Sequence, residues 1–289
     1  MKSWDDLKYV LYVHRHGGLS GAARALGVNH TTVSRRLTTL EDQMGVRLFD
    51  RLPGGLKITM HGERCLEAAQ VIEKQTLDLD LSIAAKDQDL AGPLKVSAPQ
   101  LLFQLLLAEI VLKFKKQYPQ IDLTLIATTD AINLYRREAD VSLRVVNEPE
   151  STLWGRKAFS QNCMYYASRE YMENHKDSSK LDCINFLWRG DEPAGEVLKA
   201  YPNAHVIAKF DDMIAVLGAV RAGMGIARMP CFIGDSQPDF VRVPNIERAP
   251  YHDLWILTHP DLKDVARIKT FMRFATLELK KHEKAFLGV

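Results

Sequence analysis

The stretch NHTTVSRRLTT, residues 29–39, gathers a carboxamide, an imidazole, five hydroxyls and two guanidinium groups into eleven residues. Such groups donate and accept hydrogen bonds and carry positive charge, which suits the reading of polar edges and anionic oxygens rather than bond-making chemistry. On a helix advancing ~100° per residue, Leu37 and Leu40 fall beside Val33, and Met44 extends the same aliphatic stripe. Thr31, Arg35 and Thr38 then lie on the opposite side, flanked by Thr32 and Thr39. One face is suited to burial and the other to presentation. A plain solvated helix face would show the same pattern, so the neighbouring elements must decide between the two.

Upstream, Leu7, Val10, Leu11 and His14 follow the i, i+3, i+4, i+7 spacing of one helix face, and Gly17-Gly18 ends that helix. Ser20 is placed to cap a short second helix with Ala22, Ala23 and Leu26 as packing residues; Gly27 ends it, and Asn29 caps the third. Helix, short turn, helix is the arrangement in which the second helix of the pair enters a DNA major groove by its N-terminal residues. Downstream, VRLFDRLPGGLKITM predicts two short strands about a Pro53-Gly54-Gly55 turn, carrying Arg47, Arg51 and Lys57. A basic hairpin there would serve as a wing against the DNA backbone or minor groove. Residues 1–60 hold nine Lys and Arg against five acids, a net charge of +4, which leaves −2 for the rest of a chain of net +2. Positive charge is thus concentrated where a polyanion would be met.

Residues 61–90 contain no proline and one glycine, Gly62, which predicts a single long helix with Thr59 as its cap. Along it Cys65, Ala69, Ile72, Thr76, Leu79 and Ile83 alternate steps of four and three, the spacing of a heptad seam. A seam of this kind packs either on its own domain or on a second copy. The helix's length between two globular segments favours a homodimer, which would bring two reading helices to a two-fold related DNA site.

Beyond a hinge expected at AGPL, residues 91–94, strands LKVSA, IDLTLIA and DVSLRVV alternate with helices LLFQLLLAEIVLKFKKQYP and DAINLYRREA. A second set follows: NCMYYAS, CINFLW, AHVIAKF, a helix at 212–222, GMG, IARMP and a terminal helix at about 263–281. The alternation predicts parallel sheets with crossover helices, in two α/β units hinged about a ligand cleft. There is no GxSxG, HExxH or P-loop, GMG follows a helix rather than a strand, and nine His show no ligand spacing. Neither catalysis, metal nor cofactor is therefore expected. Cys65, Cys163, Cys183 and Cys231 lack any CxxC pairing and are expected as free thiols, with a redox switch as the alternative. No apolar run approaches ~18 residues and the start lacks a leader pattern, so a soluble cytosolic protein with no membrane partner is expected.

With these residues in view, the chain resembles the LysR-type transcriptional regulators over essentially its whole length. The resemblance is carried by LSGAARALGVNHTTVSRRLTTLEDQMGVRLFDR and ITMHGE, then by LKVSAPQ, EADVSLRV, YYASREYMENH and AVRAGMGIARMP in that order. It implies an α+β multidomain chain. The parts would be a winged helix-turn-helix at 1–60, a dimerising linker helix at 61–90, and a two-lobed α/β effector domain of periplasmic-binding-protein type at 91–289. Lobe I would span about 92–160 and 264–289, and lobe II about 161–263. It further implies a sequence-specific regulator of promoter DNA that responds to a small-molecule effector in the interlobe cleft. Assembly would be a homodimer or a tetramer of paired dimers, meeting RNA polymerase where it activates.

By the same resemblance, the groove-reading positions fall on His30, Thr31, Thr32, Ser34 and Arg35 and the wing on Arg51. Ser20, Asn29, Arg36 and Thr38 complete the expected DNA-binding set. Many members carry Ser-Gln-Ser where this chain has Asn29-His30-Thr31, which implies a different base preference. The effector cleft falls on Ser97, Ala98, Pro99, Gln100 and Leu101, on Thr128 and Thr129, on Arg144, and on the helix head near Asp211. Pro99 and Leu101 stand where many members have hydroxyls, leaving Ser97 and Gln100 as the polar candidates. Arg144 could neutralise an anion or pair with a neighbouring acid such as Asp140. The rival readings are a solute-binding protein, a metabolic enzyme with an appended head, and a nucleoid-type packaging protein.

Overall fold

The structure, a computed structural model, describes residues 5–52, 55–84, 89–129, 133–134, 137–176 and 178–289, with backbone only at 78 and 80–84. It divides into two compact units, Met1–Ser82 and Ile83–Val289.

The first unit contains α1 (Asp6–Arg15), α2 (Leu19–Leu26), α3 (His30–Met44), a hairpin of β1 (Phe49–Leu52) and β2 (Gly55–Ile58), and α4 (Met60–Ala84). Leu7, Val10 and Leu11 of α1, Ala22 and Ala23 of α2, and Val33, Leu37 and Leu40 of α3 close one core with Leu48 and Phe49. Each large aliphatic there contributes on the order of 1.5–3 kcal/mol by leaving water. Three details depart from the sequence pattern. His14 is exposed and Val13, at 1% exposure, takes its place in the core. Met44, at the end of the α3 stripe, is 38% exposed. Ser20 caps nothing: Gly18 is the capping residue of α2, at φ 136°, a backbone conformation that suits glycine, and Ser20 sits exposed inside the helix. Asn29 does occupy the cap position of α3 with extended backbone, but its side chain makes no capping bond.

The hairpin pairs antiparallel from Phe49↔Ile58 to Leu52↔Gly55, while its expected turn at Pro53 and Gly54 lies outside the described residues. Thr59 caps α4 as expected, its Oγ1 accepting from Gly62 N at 3.1 Å and donating to Arg47 O at 2.7 Å. The helix is described as far as Ala84; residues 85–88 lie outside the described residues, and Asp89 and Leu90 are not helical, so it stops short of the expected 90.

The second unit runs β3 (Gly92–Ala98), α5 (Gln100–Leu102), a π-helical turn (Phe103–Leu107), α6 (Ala108–Gln117), β4 (Ile121–Ala127), β5 (Val141–Val146) and β6 (Trp154–Phe159). It continues with β7 (Asn162–Ser168), α7 (Arg169–Asn174), β8 (Asp182–Phe186), α8 (Gly195–Ala200), β9 (His205–Phe210), α9 (Met213–Arg221), β10 (Ile226–Pro230) and α10 (Cys231–Gly234). It closes with β11 (Phe240–Arg242), β12 (Ala249–Pro250), β13 (Asp253–Thr258), α11 (Ala266–Lys280) and α12 (Glu283–Leu287). The strands form two sheets, ordered β4-β3-β5-β13-β6 and β11-β7-β10-β8-β9, with β12 beside β7.

The sheets are mixed, not wholly parallel. β3 pairs parallel with β4 and β5, and β8 with β9 and β10. β13, however, is antiparallel to β5 and β6, and β7 to β10 and β11. The chain crosses to the second sheet between β6 and β7 and re-enters the first at β13. The expected lobe limits are therefore corrected: 253–258 belong to the first sheet although they fall in the 161–263 range, and α12 packs on β7 and α10 of the second. The expected hinge at 91–94 is largely strand, because Gly92 to Leu94 already pair with β4. Of the helix expected at 130–139, the described residues form turn or irregular backbone, and the others lie outside the described residues. Trp188 is not in the expected strand, since β8 stops at Phe186 and a 3-10 turn follows. After α9, Gly225 passes so close to β8 that a Cβ would stand 2.2 Å from Asp182 O, which accounts for the second glycine of GMG.

Candidate nucleic-acid interface and ligand cleft

On α3 the two faces separate cleanly. Asn29, His30, Thr31 and Arg35 are exposed and Thr32, Ser34 and Thr38 half-buried, while Val33 and Leu40 are sealed in the core. Ser20 on α2 and Arg51 on β1 are also exposed. Arg36 departs from this set: its Nη1 donates to Asp6 Oδ1 at 3.3 Å and its guanidinium lies 6.0 Å from the Tyr9 ring. It ties α3 to α1 instead of standing with Arg35.

Glu41, which sequence reasoning missed, is a buried carboxylate at the far end of α3. Its Oε1 accepts from Leu48 N at 2.7 Å and Phe49 N at 3.3 Å, and its Oε2 from Arg47 Nη1 at 3.1 Å. Charge-assisted bonds to two backbone amides fix the hairpin to the helix. The only hint in the sequence was an acid beside Leu40, at the edge of the aliphatic stripe.

The proposed heptad seam is only partly available. Cys65 and Ala69 are 6% and 5% exposed inside the unit's own core, and Ile72 packs against it. Thr76 is exposed and donates to Ile72 O of its own helix, and Ile83's side chain lies outside the described residues. Arg15 clamps α4 to α1 through two bonds to Glu73, 3.0 and 2.8 Å. Leu79 and Val71 remain 60% and 61% exposed. A groove of about 310 Å³ lies between α1 and α4, lined by Leu11, Tyr12, Ile72 and Leu77 among others.

In the second unit a cleft of about 560 Å³ draws its wall from both sheets and from the segments that cross between them. Of the expected residues, Pro99, Gln100, Leu101, Thr129 and Arg144 line it. Ser97 and Ala98 do not: they are 1% and 4% exposed inside β3, and Ser97 Oγ donates to Ser142 Oγ at 2.8 Å. Thr128 is not among the described lining residues; its backbone N donates to Ala98 O at 2.9 Å. Asp211 is replaced by the next residue, because Asp212 has the extended backbone that caps α9 and accepts from Ile214 N at 2.7 Å and Ala215 N at 3.1 Å. Arg144 does not pair with Asp140. That acid accepts from Lys95 N at 2.8 Å and faces Arg137 Nη2 at 3.9 Å, while Arg144 Nη1 reaches Thr129 O at 3.4 Å.

The cleft combines apolar walls from Phe186, Trp188, Met213 and Phe232 with the guanidiniums of Arg144, Arg189 and Arg228 and the carboxylates of Glu148, Glu150 and Asp212. Arg228 Nε donates to Cys163 Sγ at 2.9 Å. Burial raises the Cys163 thiol above its usual range, with Arg228 opposing, so the sulfur is neutral there. Burial also raises the phenol of Tyr251, which keeps a neutral hydroxyl at the cleft.

Two family profiles match this chain: residues 4–63 match "Bacterial regulatory helix-turn-helix protein, lysR family", and residues 87–280 match "LysR substrate binding domain". The chain belongs to the LysR family of bacterial transcriptional regulators. It is 28% identical over 243 residues to the HTH-type transcriptional regulator CrgA of Neisseria meningitidis serogroup C (strain 8013), covering 80% of this chain and 81% of CrgA. The solved CrgA of Neisseria meningitidis shares its fold at a TM-score of 0.58, with 24% identity over 96% of this chain and 99% of that one. The full-length Vibrio cholerae virulence activator AphB does so at 0.59, with 20% identity over 94% and 98%. This LysR-type regulator thus joins a DNA-binding helix-turn-helix unit to an effector-binding unit.

Several cleft residues of the regulator gave no signal in sequence. Gln161, Arg228 and Tyr251 come from three separate segments that only the two-sheet topology brings together. All four cysteines are free and buried, and burial pushes the Cys183 thiol up to about 12.

Proposed function

We propose that the α3 face of Asn29, His30, Thr31, Thr32, Ser34, Arg35 and Thr38 reads the major groove of promoter DNA, with Ser20 and Arg51 touching the backbone beside it. The observation that carries this reading is the opposition of faces on α3: Thr31 and Arg35 open to solvent, Val33 and Leu40 sealed. Two copies pair through the outer half of α4, where Leu79 and Val71 are exposed beside the α1–α4 groove. The pair sets two reading helices on a two-fold site. The cleft takes a small-molecule effector, and the regulator changes promoter engagement as ligand shifts the population of lobe arrangements. It acts in the cytoplasm without catalysing a reaction, and contacts RNA polymerase where it activates. Among the described residues no helix is long and apolar enough to cross a membrane.

Replacing Arg35 by Ala weakens binding to a selected operator by ~1–3 kcal/mol and flattens base preference, if its guanidinium grips a base edge. Titration of wild type and variant on selected and scrambled duplexes checks this; identical curves would refute the role. Leu79→Asp shifts the sedimentation profile toward monomer, and an unchanged profile would refute the pairing.

A further inference from the structure

We propose that Gln161 reads a hydrogen-bond donor on the effector, so that the ligand carries a hydroxyl or amino group set against this carboxamide. The inference rests on the cleft being the effector site.

Gln161 lies where the chain crosses from β6 to β7, is 1% exposed, and lines the cleft. The second crossing segment already holds it on one side. Its Nε2 donates to His252 O at 2.9 Å, and its backbone oxygen accepts from Tyr251 N at 2.8 Å. His252 Nδ1 in turn donates to Asn147 Oδ1 at 2.7 Å, at the end of the first sheet. Oε1 of Gln161 is left buried with no hydrogen-bond partner among the described residues. Native folds leave few such acceptors, because a carboxamide oxygen stripped of water and given no donor is costly. The described bonds of Gln161 go to Tyr251 and His252 and the residue lines the cleft, so the cleft is the space from which a donor would come.

The other polar groups define the rest of the ligand. Arg144 and Arg228 offer donors and positive charge and therefore suit acceptors or an anionic end, whereas Oε1 can only accept. Trp188 and Phe232 supply apolar wall. The ligand class is a small, partly apolar acid bearing a hydroxyl or amino group, of a size that a cleft of about 560 Å³ admits. Because Gln161 joins both crossing segments, a donor at Oε1 also strengthens the Nε2 bond to His252 O, and so bears on the hinge.

The test uses the full chain and three acid scaffolds: benzoate, 3-phenylpropanoate and butanoate, each compared with its hydroxy and amino derivatives by calorimetric titration. Wild type is expected to bind the donor-bearing member of at least one set about tenfold more tightly than the parent acid. Gln161→Met, shown folded by its melting curve, should bring that ratio to about one, whatever it does to the affinity of the parent acid itself. Gln161→Glu retains an acceptor and adds negative charge, so it should move preference from hydroxy toward amino members. Equal binding within every set by wild type, or a donor preference that survives Gln161→Met, overturns the assignment. Where Gln161→Met does not fold, Gln161→Glu decides alone, and an unshifted order of preference overturns it. Failure of every probe to bind wild type overturns the cleft reading itself, and the assignment with it.

Discussion

The two units solve the placement of functional groups in opposite ways. In the first, the presented residues and the core residues alternate on one helix: Arg35 stands outside and Leu37, two residues on, is 6% exposed. In the second, no single element makes the site, since Gln100, Arg144, Gln161, Trp188, Arg228 and Tyr251 come from six segments. A reading surface set on one helix can change base preference by exchanging a few exposed residues while the core is untouched. A cleft assembled across two sheets depends on how the chain crosses between them, so residues of the crossing segments, Gln161 and Tyr251, also line it.

That contrast can be broken by substitution. The largest effect is expected for Phe286→Ala. Phe286 is fully buried on α12, its ring 4.3 Å from both Phe159 and Phe232, and Phe232 also lines the cleft. Its loss should cost ~3–5 kcal/mol and weaken ligand binding with it, as denaturant titration and calorimetry would show. Retained ligand affinity in a destabilised variant would mean that packing and cleft are separable after all. Next, Leu40→Ala should cost the first unit ~2–5 kcal/mol, whereas Arg35→Ala should leave its melting midpoint in place while DNA affinity falls. A shared loss of stability would mean that the α3 faces are not independent. The smallest effect is Ser97→Ala, which removes the bond to Ser142 inside the first sheet. It should cost about 1 kcal/mol of stability and leave ligand affinity unchanged; a large affinity loss would return Ser97 to the cleft.

The same contrast explains what the sequence could and could not tell. Helical periodicity located α3, its exposed Thr31 and Arg35 and its buried Val33 and Leu40, because burial on a helix follows local spacing. It failed where a long-range partner decides. Arg36 looked like Arg35 until Asp6, thirty residues away, claimed it. Cys65 and Ala69 looked like a dimer seam until the head's own core took them. Ser20 yielded its capping position to the backbone freedom of Gly18. In the second unit most strands were readable, but β13 carries no mark of the sheet to which it returns, and its return undoes the lobe limits. Gln161 could not be found by spacing, since it is held at the cleft by His252 and Tyr251, some ninety residues on.

The central claim is that the Thr31 and Arg35 side of α3 lies in a DNA groove. The four native cysteines are buried, and burial raises their thiols, so a Thr31→Cys variant offers one accessible thiol for a tethered iron–EDTA cleavage reagent. Bound to a duplex selected for affinity, the labelled regulator should cut each strand in short clusters centred on the half-sites. Absence of cleavage by the fully bound protein, or cuts spread evenly along the duplex, would contradict the account.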